Sequence, residues 1–352
     1  MNYWIKKLLP GVLTIITLNV NASCGSSFCA IYNHWDTQGL NNTTGLSIDA
    51  RYSQATADKL RAGYKKITPE SPSGSDEEIE DKRTVMKLLT LDFDYAFPDS
   101  PWNIGIILPL IERNHTHTLD SSVVGPFEQQ GKFTELGDIR VIGKYRLSNN
   151  LYSGNSLRVG IKLPSGATDK TMTPVAPHAE HTEGEEEEHE EHAEEEITGH
   201  HGNELERSTQ PGSGSTDLIL GYYHFGQTPG NNWGWFVSAQ MQKALQTKDD
   251  YRPGTQTNLD LGASYSITSQ ISGLFQINLQ HQQRDSGANA NLASGGYSIN
   301  LSPGLSYKLT DATRIYGFVQ IAARQYTKTD PETGAGQLTA PWSFSLGVNH
   351  SF

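Results

Sequence analysis

From Gly45 onward the chain alternates apolar and polar residues with a period of two. In "LTLDFDYAF", Leu89, Leu91, Phe93, Tyr95 and Phe97 share one face, with Thr90, Asp92 and Asp94 opposite. "LSIDARY" sets Leu46, Ile48, Ala50 and Tyr52 against Ser47, Asp49 and Arg51. "WNIGIILPL", "DIRVIGKYRL", "LRVGIKL", "DLILGYYH", "WGWFVSAQM", "TNLDLGASYSI", "LFQINLQ", "YSINLSPGLSYKL", "RIYGFVQIAAR" and "SFSLGVNHSF" repeat the pattern. Successive side chains on a strand point to opposite faces. The alternation therefore predicts about twelve half-buried strands, each about ten residues long. That is the length a tilted strand needs to cross a bilayer.

Alternation fits a soluble sandwich as well as a membrane barrel, and the connections separate the two. Those after the even-numbered strands are short: "PDSP", "SNNLYSGN", "GQTPGNN", "TSQ" and "TDAT". Those after the odd-numbered strands are mostly long, spanning residues 56–83, 114–134, 165–214 and 327–341. Short periplasmic turns alternating with long extracellular loops are the layout of an outer-membrane barrel. Aromatics near strand ends (Tyr52, Phe97, Trp102, Trp233, Trp235 and Trp342) match interfacial girdles. The fold class expected is all-β: a transmembrane, antiparallel, up-and-down β-barrel of about 12 strands. An even strand count puts both ends of the barrel in the periplasm. The last strand closes on Phe352. It resembles the signal that barrel assembly machinery reads, so that machinery and outer-membrane lipid are expected partners.

Composition sharpens this picture at the N-terminus. In residues 1–22, Lys6 and Lys7 precede an apolar run from Leu8 to Val20 and a small-residue site ending at Ala22. This reads as a cleaved secretory signal, too short to span a bilayer. A lipoprotein reading would cleave before Cys24, but Asn21 stands where an aliphatic residue is wanted. Residues 23–44 form a periplasmic segment in which Cys24 and Cys29 are candidates for a small disulfide loop. Residues 45–352 form the barrel.

The net charge is −12, and eleven glutamates lie between His178 and His201 with no Lys or Arg. The acidity is thus local and the remainder is close to neutral. No basic stripe points to nucleic acid. The tract lies in the 165–214 loop. There His178, His181, Glu185, His189, His192, His200 and His201 are candidate ligands for zinc, copper or nickel. A run of like charges with little to bury also reads as a solvated loop, and the two readings are compatible.

"IKLPSG" (Ile161–Gly166) and "GSGSTDLILGYYH" (Gly212–His224) together resemble a transporter-like outer-membrane β-barrel family named for the MetA-pathway of phenol degradation. The resemblance runs from about Asp138 to Phe352 and implies an outer-membrane channel. Ser165 stands where that family commonly has Thr, and the His/Glu tract is an insertion.

If the apolar faces meet lipid, the opposite faces line a lumen. They carry Asp49, Arg51, Asp92, Asp94, Asp138, Arg140, Lys144, Arg146, Arg158, Lys162, Asp217, Asp260, Arg314 and Arg324. Charges facing lipid near the midplane would each cost about 2–4 kcal/mol. One reading is a paired ion network that stiffens a small barrel; another is a selectivity lining. The basic residues of strands four and five facing Asp92 and Asp94 suggest a transverse field. No Walker, dinucleotide-binding or H-E-x-x-H motif occurs. His224 and His350 lie on strands without a neighbouring nucleophile motif, so no enzyme is expected. The expected function is passage of a small molecule or ion across the outer membrane. The alternatives are surface metal capture and a non-transporting anchor or adhesin.

Overall fold

The computed structural model describes residues 44–68, 79–121, 125–175, 205–230 and 232–352. The signal at 1–22, the Cys24–Cys29 loop and the seven ligand candidates between His178 and His201 lie outside those residues.

Twelve antiparallel strands close into a barrel, as the alternation predicts. They are β1 (Gly45–Ala57), β2 (Ile79–Ala96), β3 (Trp102–Ser121), β4 (Arg140–Asn150), β5 (Ser153–Lys162) and β6 (Asp217–Gln227), followed by β7 (Trp233–Ala244), β8 (Gln256–Ser266), β9 (Ile271–Gln282), β10 (Gly296–Lys308), β11 (Thr313–Thr327) and β12 (Trp342–Ser351). Each pairs with its neighbours in sequence. β1 closes the ring on β12 from Ser47↔Ser351 to Ala55↔Ser343. Closure removes the unpaired edges that lipid would penalise. A membrane barrel turns a soluble core inside out. The outward face bares Val159, Leu220, Val319 and Leu346 at 39–58% exposure. Buried Asn278, Ser302, Gln276 and Ser345 line the interior. Near the short turns the aromatics pair into a girdle, with Trp102 4.8 Å from Tyr145 and Trp233 4.7 Å from Tyr265.

On one side the barrel wall continues past its rim. β3 pairs with β4 only from Trp102↔Tyr145 to Ile107↔Arg140. From Leu110 its partner is the strand Gly125–Leu136. Pro109 sits at the change of partner, where a residue without an N–H is tolerated, and its carbonyl accepts from Gly137 N at 2.7 Å. β2, β3 and Gly125–Leu136 thus form a ribbon above the mouth. Residues 114–117, placed by the sequence in a long connection, lie in this ribbon. His115 and His117 are buried, bonded to Thr84 Oγ1 (2.8 Å) and Gln129 Oε1 (2.9 Å). A second small sheet (Lys59–Ala62, Lys65–Lys66 and Gln337–Thr339) covers the rim beside β1 and β11.

Candidate functional site

Among the described residues, the lumen gathers the charged side chains read from the sequence. Strand parity sets which residues reach it. On β1 the odd positions are inward, so Asp49 and Arg51 project inside. Thirteen of the fourteen residues expected in the lumen sit on inward positions of the wall or at its rim. Arg324 does not. Ile299 of β10 pairs with Arg324 but Asn300 pairs with Ala322, so Ala323 is an extra residue. This bulge reverses the parity of β11 beyond it. Arg324 is exposed on the outer wall, with its guanidinium 4.7 Å from the Tyr64 ring. Simple alternation cannot register a one-residue insertion, which is why the expectation failed there.

Two of the inward lysines are paired with carboxylates. Lys144 Nζ lies 2.6 Å from Asp94, and Lys162 Nζ lies 2.8 Å from Asp138 and 3.3 Å from Asp217. Lys162 is 4% exposed, so both carboxylates are needed to offset its desolvation. On the opposite wall a polar ladder runs across three strands. Asn278 donates to Asp260 (2.8 Å), and Ser302 donates to Asn278 (2.7 Å).

The Lys162 cluster joins the two sequence pieces that carried the family resemblance. Gly166 N donates to Asp138 Oδ1 at 3.1 Å, and Ser213 N to Oδ2 at 3.0 Å. Ser215 Oγ donates to Asp217 at 2.6 Å. Gly212 N bonds to Ala167 O at 2.8 Å, and the backbones pass so closely at Gly166 and Gly212 that a methyl on either would overlap the other. Glycine is required there for approach. The strand-end "LPSG" and the returning "GSGS" are two halves of one clasp. Residues 176–204, with the His/Glu tract, connect its outer arms.

That clasp holds a segment across the mouth. Leu205 packs against Phe133 and Met172. Arg207–Thr209 makes one 3-10 turn. Arg113 of β3 donates to Thr209 O, and Gln210 donates to Lys170 O at 2.9 Å. From the other side, Arg207 stacks over Tyr251 at 5.4 Å. Tyr251 donates to Asp285 at 3.0 Å, and Asp285 also accepts from Gly254 N at 2.7 Å. Burial raises the Asp285 carboxyl above its usual range despite these donors, and raises the Tyr251 hydroxyl well above its own.

Among the described residues, two of the cavities stand at opposite ends of the lumen. Beneath the Arg207–Ser213 segment lies a cavity of about 220 Å³. Met86, Ile107, Pro109 and Ile142 make one wall, Gln240, Gln242 and Gln256 another, with Arg51, Arg140 and Asp92 among them. At the end with the short turns a wider chamber of about 630 Å³ opens, lined by Phe225, Phe236, Leu274, Lys308 and Arg314 among others. The two share no lining residue.

The sequence reading missed the lumenal aromatics. Tyr223, Phe236, Tyr316 and Phe318 are buried on inward faces. Three of these rings, and Phe225 beside them, lie over a glycine of the adjacent strand: Phe225 over Gly154, Phe236 over Gly262, Phe318 over Gly304 and Tyr316 over Gly347. Tyr316 also donates to both Asp49 oxygens at 2.8 and 3.0 Å. The signal was present as glycines spaced through the strands, but apolar residues on both faces blur a period of two. His224 bonds to Asn155 and packs on Trp235, 4.9 Å away, and His350 bonds to Thr313 at 2.8 Å. Both have structural roles.

The family model described as the MetA-pathway of phenol degradation matches residues 202–344. That range contains the Gly212–His224 half of the clasp and bears out the resemblance read from it. Among solved structures, the chain is similar to an outer-membrane channel from Pseudomonas putida F1. The TM-score is 0.55 at 11% identity, covering 92% of this chain and 100% of that one. The transport unit of the autotransporter AIDA-I from Escherichia coli aligns with a TM-score of 0.46 at 10% identity, over 94% and 95% of the two chains. The TodX monoaromatic hydrocarbon channel aligns with a TM-score of 0.46 at 9% identity, over 89% and 92%. The first supports the barrel fold; the other two are too remote to carry an argument. No curated protein matches the chain significantly in sequence.

Proposed function

We propose that the chain is an outer-membrane channel that passes a small solute through a narrow, charge-lined lumen. The observation that carries this reading is the pair of chambers inside a closed membrane barrel, with the Lys162–Asp138 pair lining the one beneath Arg207–Ser213 and the Lys144–Asp94 pair elsewhere on the lumen wall. An anchor has no need for inward carboxylates and ammonium groups at such desolvation cost, whereas charged linings choose among permeants. The similar Pseudomonas putida structure is that of an outer-membrane channel, which agrees with the reading. The segment Arg207–Ser213 narrows the outer entrance, so conductance should be small compared with an open porin. Purified protein in planar bilayers should give discrete small steps, and liposome swelling should admit small solutes and reject larger ones. A barrel silent in both assays would sink the channel reading and leave the anchor.

A further inference from the structure

The bulge at Ala323 has a use outside the lumen. Without the extra residue Arg324 would keep the inward parity of Arg314 and Gln320; with it, the guanidinium is turned onto the outer wall. Bulges commonly re-aim one side chain in this way. Arg324 lies three residues beyond Ile321, which is 49% exposed in the apolar band beside Trp342. At about 3.3 Å per residue this puts it roughly 10 Å further toward the long loops, at the outer border of the hydrocarbon. There it meets three tyrosines. Tyr64 and Tyr326 rings are 4.9 Å apart, Tyr297 stacks on Tyr326 at 5.5 Å, and the Tyr64 and Tyr297 hydroxyls are hydrogen-bonded.

Tyr64 comes from the turn between Lys59–Ala62 and Lys65–Lys66. That hairpin therefore brings Lys65 and Lys66, both exposed, to the same corner. Arg61 Nη1 donates to Tyr64 O at 2.9 Å and holds the turn. Among the described residues no carboxylate forms an ion pair with Arg61, Lys65, Lys66 or Arg324. Cations gathered at the outer rim with no carboxylate paired to them among the described residues suit an anion from the membrane. Tyrosine rings suit the interfacial layer, and a guanidinium suits the planar, many-oxygen phosphate.

We propose that Arg324, Lys65 and Lys66, framed by Tyr64, Tyr297 and Tyr326, bind the phosphorylated sugar headgroup of an outer-leaflet glycolipid. The site is on the outer wall and is independent of the channel reading. The test uses the full chain in detergent, with the folded barrel verified by heat-modified gel mobility. Binding of a fluorescent bisphosphorylated lipid A is compared with its dephosphorylated form, with inorganic phosphate as competitor. The phosphorylated lipid should bind about tenfold more tightly. Arg324→Gln should weaken it about fivefold, and the double change Lys65→Gln with Lys66→Gln by at least as much. Millimolar phosphate should not displace it. Equal affinity for the two glycolipids, or unchanged binding in both variants, overturns the proposal. Displacement by inorganic phosphate overturns the lipid assignment. Both variants should keep wild-type single-channel conductance; if conductance falls with lipid binding, the patch is not separate from the lumen and the proposal fails.

Discussion

At Lys162 an ammonium 4% exposed sits between Asp138 and Asp217, with Ser213 and Ser215 completing its shell. Lys162→Met would leave two buried carboxylates uncompensated. We expect a loss of about 3–5 kcal/mol, seen as a lower midpoint for loss of heat-modified mobility. A midpoint unchanged from wild type would show that the clasp does not depend on this ion pair. Lys144 and Arg140, both read from the sequence as lumenal, now separate. Lys144 is neutralised by Asp94 at 2.6 Å, while Arg140 lines the 220 Å³ cavity. Arg140→Glu should therefore shift the reversal potential toward cation selectivity in planar bilayers, and more than Lys144→Gln does. Identical reversal potentials would mean the lining does not select ions. Charged lumen residues were legible because a charge on a strand flanked by aliphatics has only one affordable side. Tyr316 and Phe236 were not, because an aromatic is tolerated on either face.

At the scale of elements, strand number, order and the short and long connections followed from the period of two. The departures are local insertions and local contacts. Ala323 reverses a face, and Pro109 marks where β3 leaves β4 for Gly125–Leu136. Neither changes composition, so neither shows in a hydropathy pattern. The loop network around Asp285 adds a pH dependence. The Asp285 carboxyl is raised above its ordinary 3.8 because burial outweighs its donors. A raised folded value means its contribution is fully present below the unfolded value and is lost as pH rises through the folded one. Hydrogen exchange at Tyr251–Gly254, corrected for intrinsic rates, should be slower in acid than at neutral pH. Asp285→Asn should flatten that difference; an unaltered profile would assign it to another group.

For the whole molecule, the barrel and the clasp are complete without the His/Glu tract, since both arms are anchored by residues on either side of it. Deleting 178–201 should leave a folded, heat-modifiable barrel. Titration calorimetry with zinc on the full chain and on the deletion then tests metal capture by the tract, with heat expected only from the full chain. Equal heats would place any binding elsewhere, and failure of the deletion to fold would give the tract a role in assembly. Overall architecture was legible because one rule, lipid outside and polar groups inside, acts on every strand alike. The position of the Arg207–Ser213 segment was not, since it rests on side-chain pairs far apart in sequence.

The rings lying over glycines have a consequence for how such a chain can change. Phe318 needs the bare backbone of Gly304, and Tyr316 needs that of Gly347. A side chain at either glycine would displace a ring into the bore, and losing the ring would leave a groove in the wall. Neither change is neutral alone, while both together, or an exchange of ring and glycine between the two strands, restores the fit. Descent should therefore pass these positions on as linked couples. In any lineage of this barrel the width of the bore would be inherited through those couples rather than through single residues.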